Sequence, residues 1–423
     1  MDICIEPGAL GGRVAAMPSK SILHRQLFCA ALADGPTHFI CPILSEDMHA
    51  TLSVLSALGA EWKRTDTGLS LAPISCPPKS LRLNAGESGT TLRFLLPLVA
   101  ALGLSAEIDG EGRLPDRPLK ALTDALRAGG VAVSADVLPL SMSGRFQGSQ
   151  VTLPGNVSSQ YISAFLLAAP LLPTGLSIQV DGPLESEAYV AMTMAVMAEY
   201  GVHVQESGDS YTVAAGARYR APQEPVLIEG DWSNAAFFLA AGAVGKAVTV
   251  TGLNPASCQG DAAILPVLTA FGARVSSTAD AVTVAPGRLA GISLDVSQIP
   301  DLLPILAMVG ACSSGSTTFK NAGRLRLKES DRLTATADLL RTVGLDVEEG
   351  PESLTVFGGR VAGGAVDGYG DHRMVMSAAI LAAVAGHDPL CIHGAEAVRK
   401  SFPHFFDDFA HIGGKCHVVS DRT

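Results

Sequence analysis

One short pattern recurs along this chain at near-constant spacing, and it constrains the fold more than any other feature. An apolar residue is followed within a few positions by Gly, then by a small or branched residue, then by β-type alternation. The pattern reads LSALGAEW, LRAGGVAV, MAEYGVHV, LTAFGARV, LLRTVGLDV and, more loosely, FAHIGGKCHV. Its marker glycines, Gly59, Gly130, Gly201, Gly272, Gly344 and Gly413, lie 71, 71, 71, 72 and 69 residues apart, so six near-equal units fill the chain. A Gly just past the last turn of a helix accepts the left-handed conformation that stops it, and the residue after it begins a strand. Turn signals such as SGDS and a second short strand such as YTVA complete the unit. The period exceeds that of a solenoid repeat, so each unit reads as a small βαβ-type subdomain of an α/β protein.

The helix starts keep the same phase. Counting back from the markers, a polar residue opens an apolar helical run at Ser19, Ser88, Ser159, Ser233, Asp301 and Asp371, between 39 and 43 residues before each glycine. A second helix is expected to open near Asp47, Arg117, Glu187, Asp261, Asp331 and Ser401. Helix N-termini carry free N–H groups and a partial positive charge, which suits phosphate and carboxylate ligands. Basic residues cluster near these starts: Lys20 and Arg25, Arg93, Arg117, Lys328 and Arg332, Arg373, and Lys400. Scattered surface charge would not keep step with the repeat, so the set points to anion recognition.

Composition narrows the classes. A net charge of −11 lacks the broad positive field of a nucleic-acid or anionic-membrane binder, so any anionic substrate must meet a local basic pocket. The eight cysteines are scattered without CxxC or a close pair, which indicates neither a disulfide framework nor a zinc site and fits a reducing cytoplasm. The start, MDICIEPGALGG, shows no targeting pattern. Apolar stretches such as Phe94 to Leu104 fall short of the roughly 18 residues that a membrane span needs.

Each motif has a plain structural reading beside the functional one. SKSILHR, from Ser19 to Arg25, is either a capped helix with solvated cations or an anion site. GESGTTLR, from Gly86 to Arg93, allows close backbone approach to an oxyanion around Gly89, or is a Gly-rich loop with a cap; it lacks the Lys of a P-loop. GRLPDRPL supplies Arg113 and Arg117 around a rigid turn. SSQYISAFLLAAP places Ser158, Ser159 and Gln160 at a helix mouth, where plain capping competes with binding. Asp301, in SQIPDLLPILAMV, is an N-cap or a general base. The most charge-dense stretch, RLRLKESDRL, carries Arg324, Arg326, Lys328, Glu329, Asp331 and Arg332 in a chain with only 17% charged residues. Such runs ordinarily face water as salt-bridged helix starts.

Taken together, SKSxxxR, SGTTxR, SSQ, PD before an apolar helix, KESDR, DHRM and KSFP occur in the order seen in the enolpyruvyl transferase family, and the chain resembles its 5-enolpyruvylshikimate-3-phosphate synthases over essentially its full length. That resemblance implies two domains of three repeats each, 19–228 and 1–18 plus 229–423, with helix N-termini converging on a cleft between them that closes on substrate. It implies transfer of an enolpyruvyl group from phosphoenolpyruvate to the 5-hydroxyl of shikimate 3-phosphate, by addition and elimination, with no metal or organic cofactor, in a cytoplasmic monomer. By motif position, Lys20, Gly89, Arg93, Arg117, Arg332, Arg373 and Lys400 would hold phosphoenolpyruvate. Lys20, Ser21, Arg25, Ser158, Ser159, Gln160, Ser186, Asp301 and Lys328 would hold shikimate 3-phosphate, with Tyr189 nearby. Asp301 is the expected base and Glu329 the expected acid, with Lys20 sharing proton transfer and Asp331 capping the KESDR helix. Glu87 stands where Asn is common in the family, Pro18 where Gly is, and Arg324 where some members have Asn.

Three rivals are less consistent with the residues. A sister enzyme acting on UDP-N-acetylglucosamine would carry a Lys-Asn pair where this chain has Lys20-Ser21, and usually a Cys in the loop from Gly110 to Pro118, which has none. An RNA phosphate cyclase would favour a more basic chain. A catalytically dead metabolite binder would have lost an ionisable role, and none is missing.

Overall fold

The computed structural model describes residues 1–420, and these form two compact units. One comprises Pro18–Ile228; the other comprises Met1–Met17 with the chain from Glu229 onward. Each repeat supplies two helices. In the first unit these are α1 (Lys20–Ala31) and α2 (Glu46–Ala57), α3 (Gly89–Leu102) and α4 (Lys120–Ala128), and α5 (Ser159–Ala168) and α6 (Ala188–Glu199). In the second they are α7 (Trp232–Val244) and α8 (Ile264–Phe271), α9 (Leu303–Ala311) and α10 (Arg332–Thr342), and α11 (His372–Ala385) and α12 (Phe405–His411).

The strands form six four-stranded sheets of one pattern. In the third repeat, Gln150–Pro154 pairs in parallel with Leu176–Asp181, which pairs antiparallel with Ser210–Val213, itself antiparallel to Val204–Ser207. The first helix is therefore the crossover between two parallel strands, which no tight turn can join, and the second leads into a hairpin. In the second, third, fifth and sixth repeats the expected βαβ unit is thus the first half of the repeat only.

Three sheets are completed by strands from elsewhere in the chain. Thr37–Ile40 of the first repeat takes its parallel partner, Val226–Leu227, from beyond the third. In the fourth, Val248–Thr251 pairs in parallel with Gly12–Ala15. In the sixth, Asp2–Glu6 lies between Leu390–His393 and Lys415–Ser420. This insertion brings Cys4 opposite Cys391, with their Sγ atoms 2.9 Å apart, a proximity that the sequence spacing conceals.

The first helices make the cores. α3 is buried along nearly its whole length and packs on α5, while α7, α9 and α11 pack on one another. Helices apolar on every face belong inside a protein. Among the second helices, α4 is an amphipathic cover that buries only Leu122, Thr123, Ala125 and Leu126, whereas α10 is buried along most of its length. All six marker glycines adopt positive φ, from 77° to 106°, immediately after a second helix.

Candidate active site

Several helix starts differ from the sequence expectation, and each difference bears on the site. Ser19, Ser88 and Asp371 cap their helices as expected, accepting from the backbone N–H of Ile22, Thr91 and Arg373. α5 is capped by Ser158, one residue before Ser159, and α7 by Asp231, which frees Ser233 for another bond. Asp301 does not cap α9: it lies in a 3-10 turn, Pro300–Leu302, and makes ion pairs instead. Ser45, two residues before Asp47, caps α2; α4 begins at Lys120, after Arg117; and α12 begins at Phe405, after a 3-10 turn that ends at Lys400. Glu187 and Asp331 precede α6 and α10 as expected, and Asp331 accepts from the N–H of Thr334.

In the unit Pro18–Ile228, the starts of α1, α3, α5 and α6 bring the expected residues into two groups. Arg25 is buried: Nε donates to Thr193 Oγ1 at 2.7 Å, and its terminal nitrogens donate to the carbonyls of Ser21 and Tyr189 at 2.7 and 3.0 Å. Its guanidinium also lies 5.3 and 5.8 Å from the ring centroids of Phe94 and Tyr189, within cation–π range. Lys20 donates to Asp47 at 2.8 Å, a half-buried pair across the starts of α1 and α2. Ser186, just before α6, is buried with a φ of 56°, unusual for a residue other than glycine.

The second group surrounds Gly89. Arg93 Nη1 donates to Gln160 Oε1 at 2.5 Å, and Gln160 Nε2 donates to Thr90 at 2.8 Å, which ties the mouths of α3 and α5 together. A Cβ on Gly89 would lie 2.5 Å from Arg117 Nη1 and 3.1 Å from Arg93 Nη1, so only glycine lets the two guanidinium groups approach this helix start. Ser158 and Ser159 are buried beside them.

In the other unit, the starts of α10 and α11 and the turn before α9 meet around Asp301. Its Oδ1 lies 3.1 Å from Lys328 Nζ and 2.7 Å from Arg332 Nη1; its Oδ2 lies 3.5 Å from Arg373 Nη2. Arg373 also donates to the Asp301 carbonyl at 3.1 Å. Arg332, 1% exposed, further contacts Asp371 at 2.7 Å and Glu329 at 2.7 Å. Ser330 donates to the same Asp371 oxygen at 3.0 Å, and Lys400 donates to the Gly370 carbonyl at 2.7 Å.

The electrostatics follow from burial set against charge. Burial pushes the Asp301 carboxyl up, but Arg373, Lys328 and Arg332 outweigh it and hold the group well below the ordinary carboxylate range. Burial pulls the Lys328 ammonium below its usual value despite the attraction of Asp301. Arg332 is held protonated against burial by Asp371, Glu329 and Asp301. The site is therefore an ionised carboxylate under three cations.

RLRLKESDRL consequently divides in two. Arg326 bonds Asp331 and Glu349 at 3.0 Å each, the ordinary salt-bridged helix start. Lys328, Glu329 and Arg332 belong to the Asp301 cluster. Sequence reasoning missed Asp47 as partner of Lys20, Asp371 as partner of Arg332, and Thr193 beneath Arg25. Asp47 and Asp371 read as helix starts, and their recurrence in phase with the cations was the available signal; Thr193 had none. Among the described residues, no cluster of His, Cys, Asp and Glu could hold a metal ion, and no helix is long and apolar enough to cross a membrane.

Comparison with known proteins agrees with this architecture. A family model described as EPSP synthase (3-phosphoshikimate 1-carboxyvinyltransferase) matches residues 5–409. The chain is 37% identical over 420 residues to a 3-phosphoshikimate 1-carboxyvinyltransferase of Clostridium kluyveri, covering 98% of this chain and 97% of that one. It is 35% identical over 422 residues to the protein of that name from Methanocorpusculum labreanum, covering 98% and 99%. Among solved structures, EPSP synthase from Acinetobacter baumannii aligns with a TM-score of 0.81 at 25% identity, covering 99% of this chain and 100% of that one. The enolpyruvyl transferase NikO from Streptomyces tendae shares the fold, with a TM-score of 0.77 at 17% identity and 98% of each chain covered. A family model spanning nearly the whole chain and full-length relatives above 30% identity lead to one conclusion: the chain belongs to the EPSP synthase family.

Proposed function

We propose that the protein transfers the enolpyruvyl group of phosphoenolpyruvate to the 5-hydroxyl of shikimate 3-phosphate, releasing phosphate and forming 5-enolpyruvylshikimate 3-phosphate. The observation that carries this reading beyond family membership is the Asp301 carboxylate, kept ionised under Lys328, Arg332 and Arg373. An ionised carboxylate can accept the hydroxyl proton, and cations around it can bind anionic substrate groups.

In this reading, shikimate 3-phosphate is held by Lys20, Ser21, Arg25, Ser158, Ser159, Gln160, Ser186, Lys328 and Asp301. Phosphoenolpyruvate is held by Lys20, Arg93, Arg117, Arg332, Arg373 and Lys400, with Gly89 giving room for its approach. In the addition half, the 5-oxygen bonds to C2 of phosphoenolpyruvate, its proton passes to Asp301, and Glu329 protonates C3. In the elimination half, the C2–O bond to phosphate breaks with the departing phosphate taking the proton held by Asp301, and Glu329 takes back a proton from the new methyl group, which restores the C2–C3 double bond. Alone, Asp301 is a weak base because three cations stabilise its charge. Anionic substrates that occupy those cations offset their pull and raise its proton affinity, so the base becomes competent as the substrates bind. The ion pair of Glu329 with Arg332, at 2.7 Å, favours its charged form, so Glu329 serves as the second proton donor only once the charge of bound substrate raises its proton affinity.

The test is phosphate release from phosphoenolpyruvate with shikimate 3-phosphate or with UDP-N-acetylglucosamine as acceptor. Release with the first alone is expected; release with the sugar nucleotide alone would overturn the substrate assignment. Asp301→Asn should lower kcat by about 10²–10⁴-fold, and normal turnover in that variant would remove Asp301 from the base role. The reading also takes the enzyme as a cytoplasmic monomer, which the eight free cysteines support as regards a reducing compartment. Sedimentation at the mass of a dimer would exclude the monomer.

A further inference from the structure

The strand Asp2–Glu6, inserted between Leu390–His393 and Lys415–Ser420, sets two cysteines side by side. Cys4 and Cys391 are direct cross-strand partners, 387 residues apart in the chain, with their Sγ atoms 2.9 Å apart. Directly opposed residues of an antiparallel pair have Cα atoms about 4.5–5.5 Å apart, inside the window of about 4.4–6.8 Å that a disulfide spans. A sulfur–sulfur bond is about 2.05 Å long, so a movement of about 1 Å closes it here. Both thiols are free in the structure. Their neighbours Ile3, Ile5, Leu390 and Ile392 are buried on the face that packs against α11, so alternation puts Cys4 and Cys391 on the other face. Cys416, opposite Ile5, falls on the α11 face and is not a third member. Cys391 is half-buried, whereas Cys4, 7% exposed, is flanked by the Asp2–His393 and Glu6–His417 pairs at 3.2 and 3.9 Å. Burial, and then the contact with Cys391, pushes the Cys4 thiol up to about 11.

Two thiols can pack in a sheet as small apolar residues and nothing more. Here their register and their unequal exposure supply both partners of an exchange reaction: an accessible thiol, and a shielded one already in contact with it. We propose that Cys4 and Cys391 form a reversible disulfide with a low-molecular-weight disulfide as oxidant, and that this bond staples Asp2–Glu6 into the sixth sheet. Cys391, as thiolate, attacks one sulfur of the oxidant, forming a mixed disulfide and expelling one small thiolate. Cys4 then gives its proton to that thiolate or to water and attacks the Cys391 sulfur, which expels the second small thiolate. Two protein thiols are oxidised, one small disulfide is reduced to two thiols, and excess thiol reverses the exchange. In a reducing compartment the pair stays open, and it closes when the thiol pool is oxidised. The closed loop takes in the whole of Pro18–Ile228. A crosslink across so long a loop restricts the unfolded chain strongly, so the bond stabilises the fold without rearranging the sheet. The sheet it fastens also contains Gly364–Asp367, the strand that leads into α11 and its Arg373.

The experiment treats the full-length protein with cystamine, blocks the remaining thiols by alkylation and maps the peptides. Thermal melts compare the oxidised protein with the same sample reduced again by dithiothreitol. A linked Cys4–Cys391 peptide pair is expected, opened by dithiothreitol, while the exposed Cys76 and Cys258 carry single cystamine adducts. The oxidised protein should melt about 5–10 °C higher than the reduced one. Cys391→Ser should abolish both the linked pair and the rise. Cys4→Ser should stop at a cystamine adduct on Cys391; if that variant does not fold, the wild-type map and Cys391→Ser decide the question. Adducts on Cys76 and Cys258 with Cys4 and Cys391 still free to be alkylated would overturn the proposal and leave the pair as packing. A lasting cystamine adduct on Cys391 in the wild-type protein would equally overturn it, since Cys4 would not have resolved the mixed disulfide. A linked pair with an unchanged or lower melting temperature would refute the staple.

Discussion

At the residue scale, the charged site is set beside a group that must stay neutral. His24 lies in α1 between Lys20 and Arg25, fully buried, with Nδ1 2.7 Å from Thr51 Oγ1 and Nε2 without a hydrogen-bond partner. Burial, then Lys20 and Arg25, holds its pKa well below 6.5. The unfolded chain therefore binds a proton that the folded chain refuses. Stability is full above the ordinary histidine value and falls with pH below it, by about 1.4 kcal/mol per unit down to the folded value. Asp261, raised to about 6, has the opposite sign: the folded state binds its proton more tightly, so its contribution is full below the ordinary aspartate value and is lost as pH rises through about 6. His24→Asn should remove the histidine slope. Urea unfolding at pH 7 and pH 5 should show wild type losing more stability than the variant, and equal losses would place a protonated imidazole in the fold.

At the element scale, the six marker glycines have one conformation but different surroundings. Gly130, with φ of 89°, has nothing within 4 Å of a built Cβ, whereas at Gly272, with φ of 106°, that atom would lie 2.4 Å from the Arg288 carbonyl oxygen. Gly130→Ala should cost about 1 kcal/mol, the strain of a left-handed alanine. Gly272→Ala should cost about 1–3 kcal/mol more, because backbone must also move. Denaturant midpoints at constant slope would measure both, and equal costs would show that the backbone at Arg288 yields freely.

On the scale of the whole molecule, completion of the sheets decides what can fold alone. Pro18–Ile228 contains every strand of its three sheets, including Val226–Leu227, which closes the first. Residues 229–423 lack Asp2–Glu6, the strand between Leu390–His393 and Lys415–Ser420, and Gly12–Ala15, an edge strand of another sheet. A fragment of residues 18–228 should unfold cooperatively on its own. A fragment of residues 229–423 should not, until a peptide of residues 1–17 is added, because loss of the inner strand removes the ladder that joins Leu390–His393 to Lys415–Ser420. Circular dichroism with urea titration distinguishes these outcomes, and cooperative unfolding of 229–423 alone would refute the requirement.

The local parts of this protein were legible in its sequence. A left-handed glycine after a helix, or Ser19, Ser88, Asp331 and Asp371 bonding an N–H two or three residues on, depends on neighbours in the chain and leaves a residue pattern. The six-unit period and the ordered motifs followed from such patterns. Only the tertiary structure decided that Asp301 pairs with three cations instead of capping α9, that Lys20 meets Asp47, and that residues 2–15 complete the fourth and sixth sheets. Those choices are made between residues far apart in the chain. Their energy comes from which helix starts pack together and which sheet lacks a strand, and no local pattern records it.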